Sequence, residues 1–250
     1  MIVNSMPPLQ FTLWLRDKAI DSLQNALIYV LKAGPIPRHV AFVMDGNRRY
    51  ARLKKMQVSQ GHVDGFAALI KVLNTLNKLG VKFFSVYAFA IDNFERPKEE
   101  RCDWRVRSTA KRGWKNHTLP SEVQVALAKA EELTKDNHRA VLNVFMSYSS
   151  QDEMTTAVGQ TIRDALLEGK TEPITEKDIE NRLLTTKVHS PPLDILIRTS
   201  GVARLSDFLL WQCTENTQIH FIDTVWPKIN SLHLVPIILD YQRKVWSQSQ

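Results

Sequence analysis

Five short runs rich in β-branched and aromatic residues, at 40–44, 83–89, 141–146, 193–197 and 219–222, alternate with segments of helical period. Strands that are apolar along their whole length are buried on both faces, and helices that return the chain over the sheet provide that cover. The spacing predicts helices over 63–79, 121–135, 151–167 and 232–246. In the first, Phe66, Ile70, Leu73, Leu76 and Leu79 form one stripe and Gly80 supplies the stop. The expected class is therefore α/β, a single domain with a mostly parallel central sheet flanked by helices. In such folds ligands bind beyond the carboxyl ends of the strands, so candidate functional residues are sought there.

A chain of 250 residues can bury one sizeable core, and 44% hydrophobic with 24% charged residues excludes both a disordered chain and a polytopic membrane protein. The net charge of +7 favours polyanionic partners: phosphates, nucleic acid or an anionic membrane face. Cys102 and Cys213 stand far apart with no CxxC or Cys/His cluster, which supports neither a disulfide framework nor a structural zinc site and suits a reducing compartment. Residues 1–10 have no basic start, and Pro7 and Pro8 interrupt any apolar run, so a signal peptide is not expected and the chain should stay cytosolic. Between 9 and 31, Phe11, Trp14, Leu15, Leu23, Leu27 and Val30 recur at roughly helical spacing among Arg16, Asp17, Lys18 and Asp21. Residues 1–34 are therefore read as an amphipathic helical segment ahead of a main domain at 35–250. It either packs on that domain or lies on a membrane with Phe11 and Trp14 inserted.

Three segments at strand ends carry polar residues that simple connections do not need. In the first, Asp45 closes an apolar strand, Gly46 permits close backbone approach, and Asn47, Arg48 and Arg49, followed by Tyr50, supply amide and guanidinium donors. A carboxylate beside two arginines suits a metal-bound diphosphate, although a turn with an Asp–Arg salt bridge has the same composition. His62, after Gly61 and ahead of a helix, could donate to the same phosphate. The second segment runs from Tyr87 to Pro97, where Phe89 and Phe94 could wall an apolar pocket beside Asn93 and Arg96. The third runs from Ile197 to Phe208: Arg198 and Arg204 flank a Ser/Gly turn, and Ser206 is expected to cap an apolar helix. Together the three describe a polyanion site.

These residues resemble the cis-prenyltransferase family, the undecaprenyl and dehydrodolichyl diphosphate synthases. The similarity is carried by the run from His39 to Tyr50, by Gly61 and His62, by Tyr87 to Pro97, by Asp194 to Gly201 and Arg204 to Gln212, and by Trp226 with Pro227, in family order over about 35–246. Arg48, where bacterial members carry Gly, is similar to the eukaryotic dolichol-type branch. The resemblance implies a cis-prenyltransferase-like catalytic domain that repeatedly condenses isopentenyl diphosphate onto a farnesyl-type allylic diphosphate to make a long polyprenyl diphosphate. It implies that Asp45 holds Mg²⁺ on the allylic diphosphate, with Gly46, Asn47, Arg48, Arg49, Tyr50 and His62 lining that first site. Arg198, Arg204 and Ser206 would bind isopentenyl diphosphate, Asn93 would assist proton removal, and Phe94 and Arg96 would position substrate. No Asp-Asp pair occurs in the chain, which argues against the aspartate-rich trans-prenyl chemistry.

Departures from the family pattern are also legible. Ala90 and Asp92 replace the usual Ser and Glu beside Asn93, and Gln218 stands where bacterial enzymes carry a second metal-linked Glu. The C-terminus has no Arg-x-Gly tail, so an accessory subunit of the same fold is expected to supply one, with the assembly peripheral on the cytosolic face of the endoplasmic reticulum. Residues 101–118 are basic and lack helical period where the family has a long tunnel-wall helix. This loss, with Arg105, Arg107, Lys111 and Arg112 in its place, is expected to weaken shelter for a long apolar product. Two other classes remain open: a non-catalytic subunit of a heteromeric cis-prenyltransferase, and nucleic-acid binding through the basic run 96–115 with Trp104 and Trp114 interleaved. The charge is local and no known motif frames it, so no nucleic-acid partner is expected.

Overall fold

In the computed structural model residues 8–87, 104–108, 120–214 and 216–248 are described. Six strands form one sheet in the order β3-β4-β2-β1-β5-β6, and every neighbouring pair is parallel. They are β1 (His39–Val43), β2 (Phe83–Tyr87), β3 (Trp104–Ser108), β4 (Ala140–Phe145), β5 (Ile195–Arg198) and β6 (Gln218–Phe221). The helices are α1 (Pro8–Leu31), α2 (Asn47–Leu53), α3 (Val58–Leu79), α4 (Ser121–Thr134), α5 (Ser150–Leu167), α6 (Glu176–Glu180), α7 (Leu184–Lys187) and α8 (Ser231–Gln248). The five strand runs and the helical periods read from the sequence fall within five residues of these bounds.

The two-residue period of the strands divides the core. Phe42, Phe84, Val86, Leu142 and Val144 face one way and pack with Leu69 and Leu73 of α3, Leu127 of α4 and Ile237 of α8. Ala41, Val43, Phe145 and Leu196 face the other way, against Tyr148, Leu184 and Phe208. Asp194 joins the lower ends of the central strands: its Oδ2 accepts from the amides of Arg38 and His39 at 2.6 and 2.9 Å. α1 reaches the core through Leu31, whose carbonyl accepts from Gln242 of α8 at 2.6 Å, while Leu23, Tyr29 and Val30 remain exposed. Phe11 and Trp14 lie on α1, but their side chains are outside the described set.

Residues 104–108, within the stretch that lacks helical period, form edge strand β3 on β4, with Val106 buried in the core on the Leu142 face. Trp104 and Val106 alternate with arginines at strand period; β4 offers the ladder, and the hydroxyl of Thr134 accepts from the Val106 amide at 2.9 Å. The register pairs Arg105 with Val141 and Arg107 with Asn143, and their side chains lie outside the described set. Lys111 and Arg112 lie outside the described residues.

A buried polar chain crosses the second face. The carbonyl of Pro191 can only accept, so His39 Nδ1 carries the proton, at 2.9 Å, and His39 Nε2 accepts from Ser85 Oγ at 2.8 Å. Asn143 Nδ2 donates to Ser190 Oγ at 2.9 Å and to Ser85 Oγ at 3.3 Å. Burial holds His39 neutral, with its pKa lowered to about 4. The unfolded chain takes up this proton near pH 6.5 and the folded chain only near 4, so the contribution is present above pH 6.5 and is lost as pH falls to about 4. We expect about 3 kcal/mol from this group over that window. Urea unfolding of the parent and His39→Gln proteins at pH 7 and pH 4 checks it; equal pH dependence in the two would refute the assignment.

Candidate active site

Strands β1 and β5 are parallel neighbours with Val43 opposite Arg198, which brings together segments 153 residues apart at the carboxyl edge of the sheet. Arg198 is the centre of what they build. Its Nη2 donates to Asp45 Oδ2 at 3.0 Å, and its Nη1 donates to the carbonyl of Arg204 at 2.6 Å and to Ser206 Oγ at 2.5 Å. The Arg198 side chain is only 6% exposed, whereas that of Asp45 is 37% exposed. Among the described residues Arg198 Nε, although buried, has no acceptor. A buried guanidinium with an unused donor at a cavity edge is suited to an anion.

The backbone around Asp45 is held from two sides. Thr199 Oγ1 donates to the Asp45 carbonyl at 2.7 Å and accepts from its amide at 3.0 Å, while the Trp226 amide donates to the same carbonyl at 3.0 Å. Gly46 then turns the chain into α2 with φ +105, and a Cβ there would lie 2.9 Å from Val225, so only glycine fits. Asn47 packs on Gly65 of α3, where an added Cβ would fall 2.2 Å from Asn47 Oδ1, and Trp226 Nε1 donates to the Gly65 carbonyl at 2.7 Å. These close approaches fix α2 against α3 and aim Arg48 and Arg49 at the sheet edge. Arg49 Nη1 donates to the Ser200 carbonyl at 3.1 Å.

A cavity of about 850 Å³ opens at this edge. Its mouth carries Asp45, Arg48, Arg49, Arg52, His62 and Arg198, with Ser206 beside them. Its interior is apolar, walled by Phe66 and Leu69 of α3 and by Val86, Leu142 and Val144 of the sheet. A polar, cationic entrance that leads into an apolar bore can hold a molecule with an anionic head and a hydrocarbon tail.

Of the residues expected from the sequence, Asp45, Gly46, Asn47, Arg48, Arg49, His62, Arg198 and Ser206 line this one cavity. Tyr50 does not; it pairs with Asp64, and burial with that carboxylate raises its pKa. Arg204 presents its carbonyl to Arg198, but its side chain is exposed. His62 lies within α3 rather than ahead of it, because α3 begins at Val58. Ser206 caps no helix: it has φ 50 in a turn, and the next helical residues are the short 3₁₀ stretch Trp211–Cys213. The left-handed backbone of Ser206, Asp207 and Leu209 overrides the local capping signal there. Gln218 opens β6, three register positions before Phe221, and so lies toward the opposite end of the sheet from Arg198. Asn93, Phe94 and Arg96, together with Ala90 and Asp92, lie outside the described residues.

The sequence reading missed Arg52 and counted Phe66 only as core. Arg48 and Arg52 are one helical turn apart, so their common face was a readable signal. Among the described residues no group of three or more His, Cys, Asp or Glu is placed to hold a metal ion. Asp45 is the carboxylate at the mouth, and its Oδ1 makes no hydrogen bond among the described residues.

Residues 43–247 match the prenyltransferase family described as undecaprenyl diphosphate synthase. The chain is 40% identical to a dehydrodolichyl diphosphate synthase complex subunit of Schizosaccharomyces pombe, over 94% of each chain. It is 35% identical to the human subunit of that complex, over 92% of this chain and 74% of the human one. An isoprenyl transferase of Bacillus thuringiensis is 33% identical over 90% of this chain and 92% of its own. Among solved structures, lavandulyl diphosphate synthase from Lavandula x intermedia superposes with a TM-score of 0.70 at 24% identity, covering 82% of this chain and 95% of that one. The chain belongs to the cis-prenyltransferase family, an enzyme family of chain-elongating prenyl diphosphate synthases.

Proposed function

We propose that this chain is the catalytic subunit of a dehydrodolichyl-type synthase, which extends a farnesyl-type allylic diphosphate by repeated cis condensation with isopentenyl diphosphate. The observation that carries the reading is the cavity whose mouth is lined by Asp45 and arginines and whose interior is apolar. The allylic diphosphate sits at Gly46, Asn47, Arg48, Arg49 and His62, with Arg52 adding charge, and its tail enters between α3 and the sheet. Isopentenyl diphosphate sits on Arg198, Ser206 and Arg204, so that its double bond faces the allylic carbon that loses diphosphate.

The chemistry requires that the allylic C–O bond break, that the isopentenyl double bond form the new C–C bond, and that one proton leave. Arginines at the first site stabilise the negative charge that grows on the departing diphosphate, and they are already oriented before reaction. Asn93 is assigned the proton-removal step on the strength of the family resemblance. The donor set suits Mg²⁺, since one open carboxylate plus substrate phosphate oxygens is a usual way for that ion to be held. Bound on Asp45, Mg²⁺ would supply Lewis-acid neutralisation of the diphosphate. A non-catalytic scaffold of the same fold has no need for a buried Arg198 poised between Asp45 and Ser206.

The relatives named as complex subunits support an accessory partner, which would complete the isopentenyl diphosphate site with an Arg-x-Gly tail. No helix among the described residues is long and apolar enough to cross a membrane. We place the assembly peripherally on the cytosolic face of the endoplasmic reticulum, with the exposed Leu23, Tyr29 and Val30 of α1 offering apolar contact. The test is incorporation of radiolabelled isopentenyl diphosphate by the purified chain alone and with an accessory subunit. Little product is expected from the chain alone and long cis-polyprenyl diphosphate from the pair. Full activity of the chain alone would refute the partner, and no incorporation under either condition would refute the catalytic role.

A further inference from the structure

Ser206 can meet a diphosphate only because the chain around it takes a conformation that its residues disfavour. Ser206, Asp207 and Leu209 have φ of 50, 59 and 51, left-handed values uncommon outside glycine and asparagine. Such a turn persists only if its surroundings hold it. Two anchors do so. Phe208, between the strained residues, is fully buried and stacks on Tyr87 at 4.8 Å with its ring nearly parallel. The second anchor is Asp207, to which neither the cavity nor the ligand reading assigns a part.

The Asp207 carboxylate is engaged by the start of α5. Its Oδ1 accepts from the Gln151 amide at 3.0 Å and its Oδ2 from Ser149 Oγ at 2.5 Å. Its carbonyl accepts from the Ser150 amide at 2.9 Å, and the Leu210 amide returns a bond to Ser150 Oγ at 2.9 Å. Asp207 thus uses, through its carboxylate and its carbonyl, two amide donors that a helix start leaves without intrahelical partners, on an element outside the cavity. Past the turn, Gln212 Nε2 donates to Thr185 Oγ1 at 3.1 Å and to Glu153 Oε2 at 3.3 Å. The loop is therefore fastened to the α5–α7 side of the sheet, while its inner edge, Ser206 Oγ and the Arg204 carbonyl, orients Arg198.

We infer that Asp207 is a positioning residue for the second diphosphate site: by clamping the left-handed turn to the first turn of α5 it holds Ser206 and Arg198 in place for isopentenyl diphosphate. The inference rests on the functional reading above, which places that substrate on Arg198 and Ser206. The allylic site is built on α2 and α3 and meets this clamp through the Arg198–Asp45 pair, so the larger effect should fall on isopentenyl diphosphate.

The test compares Asp207→Ala, Asp207→Asn and Ser149→Ala with the parent, each assembled with the accessory subunit. In Asp207→Ala the KM for isopentenyl diphosphate should rise about tenfold, with the allylic KM and kcat within about twofold of the parent. Asp207→Asn should restore the parent KM, because its amide oxygen still accepts from Gln151 and its NH₂ can donate to Ser149. Ser149→Ala should shift the isopentenyl KM in the same direction by a smaller factor. Calorimetric binding of isopentenyl diphosphate without allylic substrate should show the same order of affinities and does not depend on turnover. An unchanged isopentenyl affinity in Asp207→Ala, or an equal loss for both substrates, overturns the inference while leaving the functional reading standing. A parent assembly that neither binds nor incorporates isopentenyl diphosphate overturns both.

Discussion

Asp45→Ala is expected to lower isopentenyl incorporation by a factor of about a thousand or more, equivalent to about 4 kcal/mol of transition-state stabilisation. The carboxylate stands at the mouth of the cavity with one oxygen open, and no other carboxylate among the described residues lines that mouth. Asp45→Asn separates charge from shape: its amide oxygen can still accept from Arg198, and its backbone keeps the Thr199 and Trp226 bonds. It should melt with the parent and yet be nearly as inactive as the alanine variant. Steady-state incorporation at saturating Mg²⁺, with thermal unfolding alongside, decides the matter. Asn activity close to the parent would remove Asp45 from any metal role.

Arg198→Lys should cost nearly as much, about a hundredfold or more in kcat/KM, although charge is conserved. Arg198 reaches Asp45, the Arg204 carbonyl and Ser206 from two nitrogens of one planar fork and keeps Nε in reserve. An ammonium has three donors at a single point and cannot span acceptors on both Asp45 and the 204–206 turn. Because the side chain is almost wholly buried, the lost bonds also leave polar groups without partners, and the melting temperature should fall. A lysine variant with parent kinetics would show that charge alone, not fork geometry, organises the second site.

The strands and long helices could be read locally because each writes its period in consecutive residues: β1 as an unbroken apolar run, α3 as a stripe from Phe66 to Leu79. The polar clusters after β1 and β5 were legible for a similar reason, since Asp45 to Arg49 and Arg198 to Ser206 interrupt patterns that simple connections would not. Their residue types already specified a polyanion. Strand β3 was not read, although Trp104 to Arg107 alternate apolar and basic, because five residues within a basic stretch do not stand out until the ladder on β4 is seen.

What the chain alone determined, then, is the layered α/β class and the chemistry of the ligand's charged end. Only the tertiary structure decided that Asp45 and Arg198 touch, since that contact arises from the parallel register of β1 with β5 across 153 residues. It alone separated Arg198, buried and shared between three acceptors, from Arg204, whose side chain faces solvent although the two look alike in sequence. It also turned Ser206 from an expected helix cap into part of a left-handed turn held by Asp207 and Phe208. The physical reason is common to all three. Periodicity and residue type are local properties of the chain, whereas burial, pairing and the conformations that packing enforces depend on which distant segments share a space.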